Sequence, residues 1–282
     1  MKIVFWSPVH GQTRQSSNML AVALMLAMKK KYRVMITQTQ FRMNDLEDAV
    51  VGRAVAKGVR EQFFQNMGID AVCRCIKHKQ LEKTDLENCC IQVLPESDLM
   101  LLPGTQSGSY EIHYELLGEM LPYLLGKAEK YFDYVLVDVN PGKDGISRQL
   151  VGEAEAVVVN LSQSVGVLDT FFLNYPKELT GKKVFYLFGS YLADSSYNLN
   201  NLRFRYGQLK RENSGVIPLN VGFMDAVSGG KVVDYFEANL DSEAGDANYR
   251  FISEVDKVSE RLLGFMGMKN RQVTEKGSFC KE

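Results

Sequence analysis

Nine residues near the start of the chain, HGQTRQSSN at 10 to 18, have the types and spacing that a phosphate site needs. They stand between the apolar run MKIVFW and the helix-forming run MLAVALMLAM. A turn between a strand and a helix presents free backbone N–H groups at the positive end of the helix dipole. Ser16 and Ser17 add hydroxyl groups that could contact a phosphate or a magnesium ion, but the turn has no lysine. The stretch predicts an anion-binding turn without its usual lysine.

The elements that must position this turn are visible as apolar, β-branched runs separated by helix-length segments. The runs are IVFW, YRVMITQTQ, SDLMLLPG, YFDYVLVDVNPG, EAVVVNLS and KVFYLFGS. VLVDV and AVVVNL are almost wholly apolar, which is typical of strands covered on both faces. We therefore predict an α/β fold, a doubly wound and mainly parallel sheet with helices on both faces. Such sheets bind ligands at the carboxyl ends of their strands, where the turn would lie.

Composition limits the possible classes of protein. The chain has 282 residues, 45% hydrophobic and 24% charged, and a formal net charge of −1. This near-neutral charge does not indicate general, sequence-independent binding to nucleic acid. Neither a secretory signal nor a run of about 20 apolar residues is present, so we expect a cytoplasmic location.

We predict a single domain over residues 1–266 and a loose polar tail over 267–282. The last helical segment repeats apolar residues at helical spacing, which is typical of core packing; contact with a membrane or a partner is the alternative. The repeated residues are Phe251, Val255, Val258, Leu262 and Phe265.

The five cysteines are an odd number, which argues against a disulfide framework. Cys73 and Cys75, followed by Cys89 and Cys90, could be interpreted as four thiolate ligands for zinc. Neither pair has the usual ligand spacing, so ordinary core and surface thiols are the favoured interpretation, which also covers Cys280.

The sequence HGQTRQSSNMLAVALMLA resembles the deviant phosphate loop of the MinD/ParA ATPase family, K-G-G-V-G-K-T-T followed by an alanine-rich helix. On this alignment His10 replaces the family's signature lysine, Gln15 replaces the phosphate lysine, and Arg14 stands where a glycine is expected. The resemblance implies ATP or ADP as the cofactor, with magnesium held by Ser16 and Asp138. The implied nucleotide-binding positions are Gly11, Gln12, Thr13, Arg14, Gln15, Ser16, Ser17, Asp138, Ser190 and Pro218.

Further similarities extend the resemblance over roughly residues 1 to 240. LMLLPGT at 99 to 105 is similar to a family strand that ends in a Pro-Gly turn, and YFDYVLVDVNPG at 131 to 142 to its Walker B strand, with Asp138 as the magnesium-side carboxylate. GEAEAVVVNLSQSVGVLD at 152 to 169 resembles the strand and turn that follow. The segments 188 to 207 and 215 to 236, which contain Ser190 and Pro218, resemble the parts that recognise the base.

The positions of the family that carry chemistry are altered. Where the family has D-x-D-P, with an acid that helps to activate water, this chain has Thr37, Gln38, Thr39 and Gln40. Loss of this acid and of both lysines removes water positioning and charge stabilisation, so we expect slow or absent hydrolysis. Backbone N–H groups can still bind phosphate, and nucleotide binding stays open.

Plain structural roles also stay open for three of these residues. Asp138 could cap the VNPG turn, His10 could be an ordinary turn residue, and Ser16 could be the N-cap of the helix that follows.

Among family members with eroded phosphate loops, the segments FWSPVHGQ, SSN and ITQTQF most resemble the TadZ/CpaE-like proteins of Flp (Tad) pilus assembly. This resemblance implies a homodimeric scaffold at the cell pole or the inner face of the membrane. The scaffold would recruit the secretion ATPase and other pilus-assembly proteins. Some such proteins carry a receiver-like domain before the ATPase-like one, and we expect this chain to lack it.

Two other functions remain as alternatives. The chain could be an active ATPase that cycles between monomer and dimer for spatial positioning or for chromosome or plasmid partitioning. It could also bind nucleic acid through RFRYGQLKR at 203 to 211, which concentrates four basic residues, Arg203, Arg205, Lys210 and Arg211, with Phe204 and Tyr206. Such a run is more often the solvated face of a helix, and we do not expect nucleic acid as a partner.

Overall fold

The computed structural model describes residues 1–41, 45–52, 67–78, 81–94, 98–105 and 109–267. Eight of its strands form one sheet with the order β3-β4-β2-β5-β1-β6-β7-β8. All neighbouring pairs are parallel except β3 and β4. The strands are β1 Lys2–Trp6, β2 Val34–Gln38, β3 Ile91–Gln92, β4 Leu99–Leu102, β5 Tyr134–Asp138, β6 Ala156–Leu161, β7 Lys183–Tyr191 and β8 Ser214–Pro218.

Helices connect the parallel strands and cover both faces of the sheet. They are α1 Gln15–Leu24, α2 Asp45–Val51, α3 Gly68–His78, α4 Lys83–Asn88, α5 Tyr110–Tyr131, α6 Gly145–Glu153, α7 Val165–Leu173, α8 Leu199–Arg205, α9 Val221–Gly229, α10 Val232–Asn239 and α11 Tyr249–Phe265. A π-helical turn, Met25–Lys29, extends α1, and a 3-10 turn spans Lys177–Leu179. The predicted doubly wound α/β fold is confirmed.

The core forms two layers because successive side chains of a strand point to opposite faces. In β1, Val4 and Trp6 pack into one layer with residues of α5, α6 and α7. Ile3 and Phe5 pack into the other layer with α1 and α11. Every residue of β5 and β6 is buried, which explains why their sequences are nearly uniformly apolar.

The α11 stripe packs into the core, as its spacing predicts. Phe251, Val255, Val258 and Leu262 are buried, and Phe265 is partly buried against the same layer. Among the described residues, no helix combines the length and apolarity that a membrane span requires.

The pattern KTDLENCC at 83 to 90 predicts a helix start at Thr84, but the helix begins at Lys83, with Glu82 as the N-cap in a capping box with Asp85. The run AVAKGVREQFFQNM at 54 to 67 also has a helical pattern, but it lies, apart from its last residue, outside the described residues, as does nearly all of the tail at 267–282.

The sheet places the sequence-predicted turn at a switch in strand order. β1 lies between β5 and β6, so the chain passes from β1 to β2 on one side and later returns to β6 on the other. The carboxyl ends of β1, β2 and β5 therefore meet beside the start of α1, where open α/β sheets form their ligand clefts.

Candidate functional site: the cleft at the first turn

Hydrogen bonds among its own side chains hold the turn between β1 and α1. The Thr13 hydroxyl donates to Ser7 Oγ at 3.0 Å, and Ser7 Oγ donates to the Val9 carbonyl at 2.8 Å. Both side chains are buried, whereas Gly11 is exposed at a φ of 69°. The turn is thus fixed from beneath while its tip faces outward.

Arg14 ends the turn in a left-handed conformation, with φ 56° and ψ 35°, and α1 begins at Gln15. The first helical hydrogen bond runs from the Asn18 amide to the Arg14 carbonyl at 2.8 Å, so the helix does not use the N–H groups of residues 15 to 17. Arg14 is the N-cap position and makes no side-chain cap bond. The alternative that Ser16 is the N-cap is therefore wrong, because Ser16 already lies inside the helix.

Arg14 adopts the backbone conformation that glycine would adopt without strain, at the position where the resembled loop has a glycine. We expect Arg14→Gly to raise the free energy of unfolding by up to about 1 kcal/mol, since a non-glycine residue pays about that much in this region. Gln12 has no positive φ, so Gln12→Gly in the same turn should lower stability by about 0.5–1 kcal/mol. Denaturant unfolding of both variants measures the two changes in stability. If both changes have the same sign, the backbone of Arg14 is not strained.

Gln15 turns its side chain inward, beneath the turn. Its Nε2 lies 3.0 Å from the Phe5 carbonyl, 2.6 Å from the Val139 carbonyl and 2.5 Å from Asp138 Oδ1. An amide nitrogen has two hydrogens for these three acceptors, whereas a lysine ammonium has three. Gln15 Oε1 is buried and has no hydrogen-bond partner among the described residues. The glutamine thus occupies a pocket of acceptors better suited to a lysine.

Asp138 lies at the end of β5 and is fully buried. Gln15 contacts one of its carboxylate oxygens, and Gln40 Nε2 lies 3.4 Å from the other. Asp138 is not among the described residues that line the cleft above, whereas Ser16 is. The described geometry therefore does not fit a magnesium ion shared by Ser16 and Asp138, because Gln15 stands between the carboxylate and the cleft. The magnesium site stays a prediction that this arrangement does not favour.

A cleft of 730 Å³ opens over the turn and the first residues of α1. Six sequence-predicted positions line it, namely Gly11, Thr13, Arg14, Gln15, Ser16 and Ser17, together with His10. Gln12 is exposed beside it and does not line it. Ser190 and Pro218 line a small adjoining pocket of 60 Å³ that shares Arg14 and Ser17 with the cleft. The fold thus brings both distant positions to the turn.

Sequence reasoning missed several residues of the site. Asn18, buried in α1, donates to the Thr13 carbonyl at 2.9 Å and to Asn160 Oδ1 at 3.0 Å, and so ties the turn to β6. The signal in the sequence that could have indicated this residue is a polar asparagine at the start of an otherwise apolar helix. Asn140, Val227 and Ser228 form further walls of the cleft; they lie in the segments 131 to 142 and 215 to 236 that carry the resemblance, but were not predicted as site residues.

The cysteines lie in and around α3 and α4, away from the cleft. Cys73, Cys75, Cys89 and Cys90 are free thiols. Burial raises the pKa of Cys73 and of Cys89 to about 12, and also raises the pKa of Cys90, so these groups stay protonated at neutral pH. Within the described residues no group of three or more histidine, cysteine or acidic residues could hold a metal ion. Cys280 lies outside the described residues.

Comparison with known proteins gives a match in structure alone. No protein-family model matches the chain, and no curated protein matches its sequence. A ParA family ATPase from Chlorobium tepidum is similar in structure, with a TM-score of 0.66 and 14% identity over 92% of this chain and 98% of that chain. The cell-division ATPase MinD from Pyrococcus furiosus gives a TM-score of 0.67 and 14% identity over 94% and 98%. The chain has the fold of the MinD/ParA ATPases.

One further structure with the MinD/ParA fold was determined with a nucleotide. MinD from Pyrococcus horikoshii, complexed with Mg-ADP, has a TM-score of 0.66 and 15% identity, covering 92% of this chain and 95% of that chain. The structural similarity establishes the MinD/ParA fold for this chain. Because the sequence identities are this low, its ligand must be argued from its own site.

Proposed function

We propose that this chain is a degenerate MinD/ParA-type protein that binds ATP or ADP at the cleft without needing magnesium and hydrolyses it slowly or not at all. The arrangement of Gln15 supports this proposal. It stands where the resembled loop has its phosphate lysine, and its amide points down to Asp138 and away from the cleft. Phosphate would then be bound by the free N–H groups at the start of α1, with Arg14 at the mouth of the cleft.

The absence of an acid beside the cleft on β2 argues against turnover. The resembled family has a water-activating aspartate here, whereas this chain has Gln38 and Gln40. Gln38 donates to the buried Glu47 at 2.8 Å, and Gln40 contacts Asp138. Neither amide can accept a proton from water at neutral pH, so a general base is missing at this strand end.

We further propose that the protein acts as a homodimeric localisation or assembly scaffold for a Flp/Tad pilus or secretion system and contacts the membrane peripherally. The resemblance of FWSPVHGQ, SSN and ITQTQF to TadZ/CpaE-like proteins supports this role. A scaffold that uses its nucleotide pocket to control dimerisation needs binding and not turnover. A phosphate loop without its lysines favours binding of the nucleotide over its hydrolysis.

Calorimetric titration with ATP and with ADP, in magnesium and then in EDTA, tests the nucleotide site. We expect dissociation constants that agree within about threefold in the two buffers, because Gln15 separates the Asp138 carboxylate from the cleft. Arg14→Glu should weaken both nucleotides at least tenfold by placing like charge at the phosphates, which corresponds to about 1.4 kcal/mol. Phosphate release by the wild-type protein should be slow or no faster than the uncatalysed rate.

The active-ATPase alternative predicts the opposite results. Turnover would require magnesium, and Ser16→Ala would lower it by removing the hydroxyl next to the metal. Magnesium-dependent phosphate release that is lost in Ser16→Ala would refute the pseudo-ATPase proposal. Binding that vanishes in EDTA would refute its magnesium-free form. Copurification with the pilus secretion ATPase tests the scaffold role separately, since turnover and partner binding are independent measurements.

A further inference from the structure

Three arginines converge at the outer edge of the sheet, on the side of β8 away from β7. Arg203 comes from α8, Arg211 from the segment before β8, and Arg261 from α11. They line one open pocket of 570 Å³, in which Glu254 is the one acid among the described lining residues. Glu254 is itself paired with Lys257 at 2.7 Å. The pocket therefore has a strong local excess of positive charge in a chain whose formal net charge is −1.

Ser214 positions two of these arginines. The Tyr186 amide donates to the Asn213 carbonyl, so the next carbonyl of β8, that of Ser214, points away from β7. Arg261 Nη1 donates to that carbonyl at 2.8 Å, and Arg203 Nε and Nη2 donate to Ser214 Oγ at 3.2 and 2.9 Å. Two guanidinium groups are thereby fixed against the same residue.

Most donors of the cluster remain available for a ligand. Each guanidinium has five N–H groups. Arg203 Nη1, and Arg261 Nε and Nη2, have no acceptor among the described residues, and neither does any nitrogen of Arg211. Burial lowers the pKa of Arg203, and the neighbouring Arg261 and Arg211 lower it further, whereas Tyr191 and Glu212 raise it by less. Like charges are held close together here, and an anion between them would relieve the repulsion.

We propose that Arg203, Arg211 and Arg261 form a binding site for a phosphate group, separate from the nucleotide cleft. Guanidinium groups match the oxygens of phosphate in bidentate pairs, and three of them surround one tetrahedral anion better than a planar carboxylate. The two sites share no lining residue, so this site does not depend on the proposed function.

The structure also changes the interpretation of the basic segment at 203 to 211. Arg205 points elsewhere, pairing with Asp169 at 2.8 Å and contacting the Tyr206 ring. Phe204 is 93% exposed. The segment is thus divided between a local ion pair and the cluster, and does not form the continuous basic stripe that binding along a nucleic-acid backbone needs.

Titration of the full chain with inorganic phosphate, at an ionic strength kept constant with chloride, tests this proposal. The guanidinium N–H signals of arginine, followed by NMR, should shift and saturate. Arg211→Gln should weaken phosphate about tenfold, because it removes charged hydrogen bonds while its side chain supports no described contact. Lys210→Gln is the matched control, with the same loss of charge one residue earlier, and should change the affinity less than twofold.

Further measurements distinguish the possible sources of the phosphate group, and several results would refute the proposal. Sedimentation with phosphatidylcholine vesicles that contain phosphatidic acid, lost in Arg211→Gln, would assign the site to lipid phosphate. Saturable binding of inorganic phosphate without vesicle binding would assign it to a free phosphate compound. Equal effects of Arg211→Gln and Lys210→Gln would show diffuse attraction and refute a site. Loss of phosphate binding in Arg14→Gln but not in Arg211→Gln, or retention of duplex DNA with no response to inorganic phosphate, would refute it as well.

Discussion

Gln15→Leu is expected to lower the free energy of unfolding by about 3 kcal/mol. The substitution keeps a side chain of similar size but removes a donor from the Val139 carbonyl and from the buried Asp138 carboxylate, whereas the Phe5 carbonyl keeps the Val139 amide as a donor. Each buried acceptor left without a donor costs about 1–3 kcal/mol, and a charged one costs more. In a chain of this size the loss corresponds to a fall in melting temperature of roughly 6–10 °C, measured by calorimetry or circular dichroism.

Two variants separate hydrogen bonding from packing at this position. Gln12→Leu makes the same substitution at an exposed residue of the same turn, and should change stability by no more than about 0.5 kcal/mol. Gln15→Lys should retain most of the wild-type stability, because an ammonium group supplies three donors to the three acceptors. A Gln15→Leu protein as stable as the wild type would mean that the contacts to Asp138 contribute nothing to the fold.

Gly189→Ala is expected to lower stability by about 3 kcal/mol and to weaken nucleotide binding at the same time. A Cβ on this residue of β7 would lie 2.5 Å from the Thr13 carbonyl and 2.5 Å from Asn18 Nδ2. Both atoms belong to the bond that holds the turn to α1, and backbone that cannot move aside makes overpacking costly. Chemical denaturation and ATP calorimetry on the same protein measure the two effects.

Gly207→Ala provides the comparison for this prediction. Nothing lies within 4 Å of a Cβ at Gly207, so its replacement should be nearly neutral for both stability and binding. If Gly189→Ala loses stability but binds ATP as the wild type does, then the turn that Thr13 and Asn18 shape is not where the nucleotide binds.

The buried network under the turn supports the proposed lack of hydrolysis. Gln15, Gln40 and Asp138 form one set of contacts in which two amides face a carboxylate, where a phosphate site would have a lysine and a metal. Such a network favours one fixed arrangement of β1, β2 and β5, because a buried carboxylate must keep its donors. In the proposed function these residues hold the fold together, and the backbone above them binds the nucleotide.

The sequence by itself indicated six of the eight described strands, β1, β2, β4, β5, β6 and β7, because apolar runs of strand length follow from local spacing; β3 and β8 are not among those runs. It also placed the turn after β1, which is predicted to bind phosphate, and an acid at the end of β5, since these depend on neighbouring residues. Only the tertiary structure decided that Asp138 lies buried behind Gln15 and that Arg14 takes the left-handed conformation of a glycine. Only it brought Arg203 and Arg211 to Arg261, some 50 to 58 residues later in the chain. These features rest on contacts between distant segments, where packing decides which way a polar side chain turns, and no local pattern records that choice.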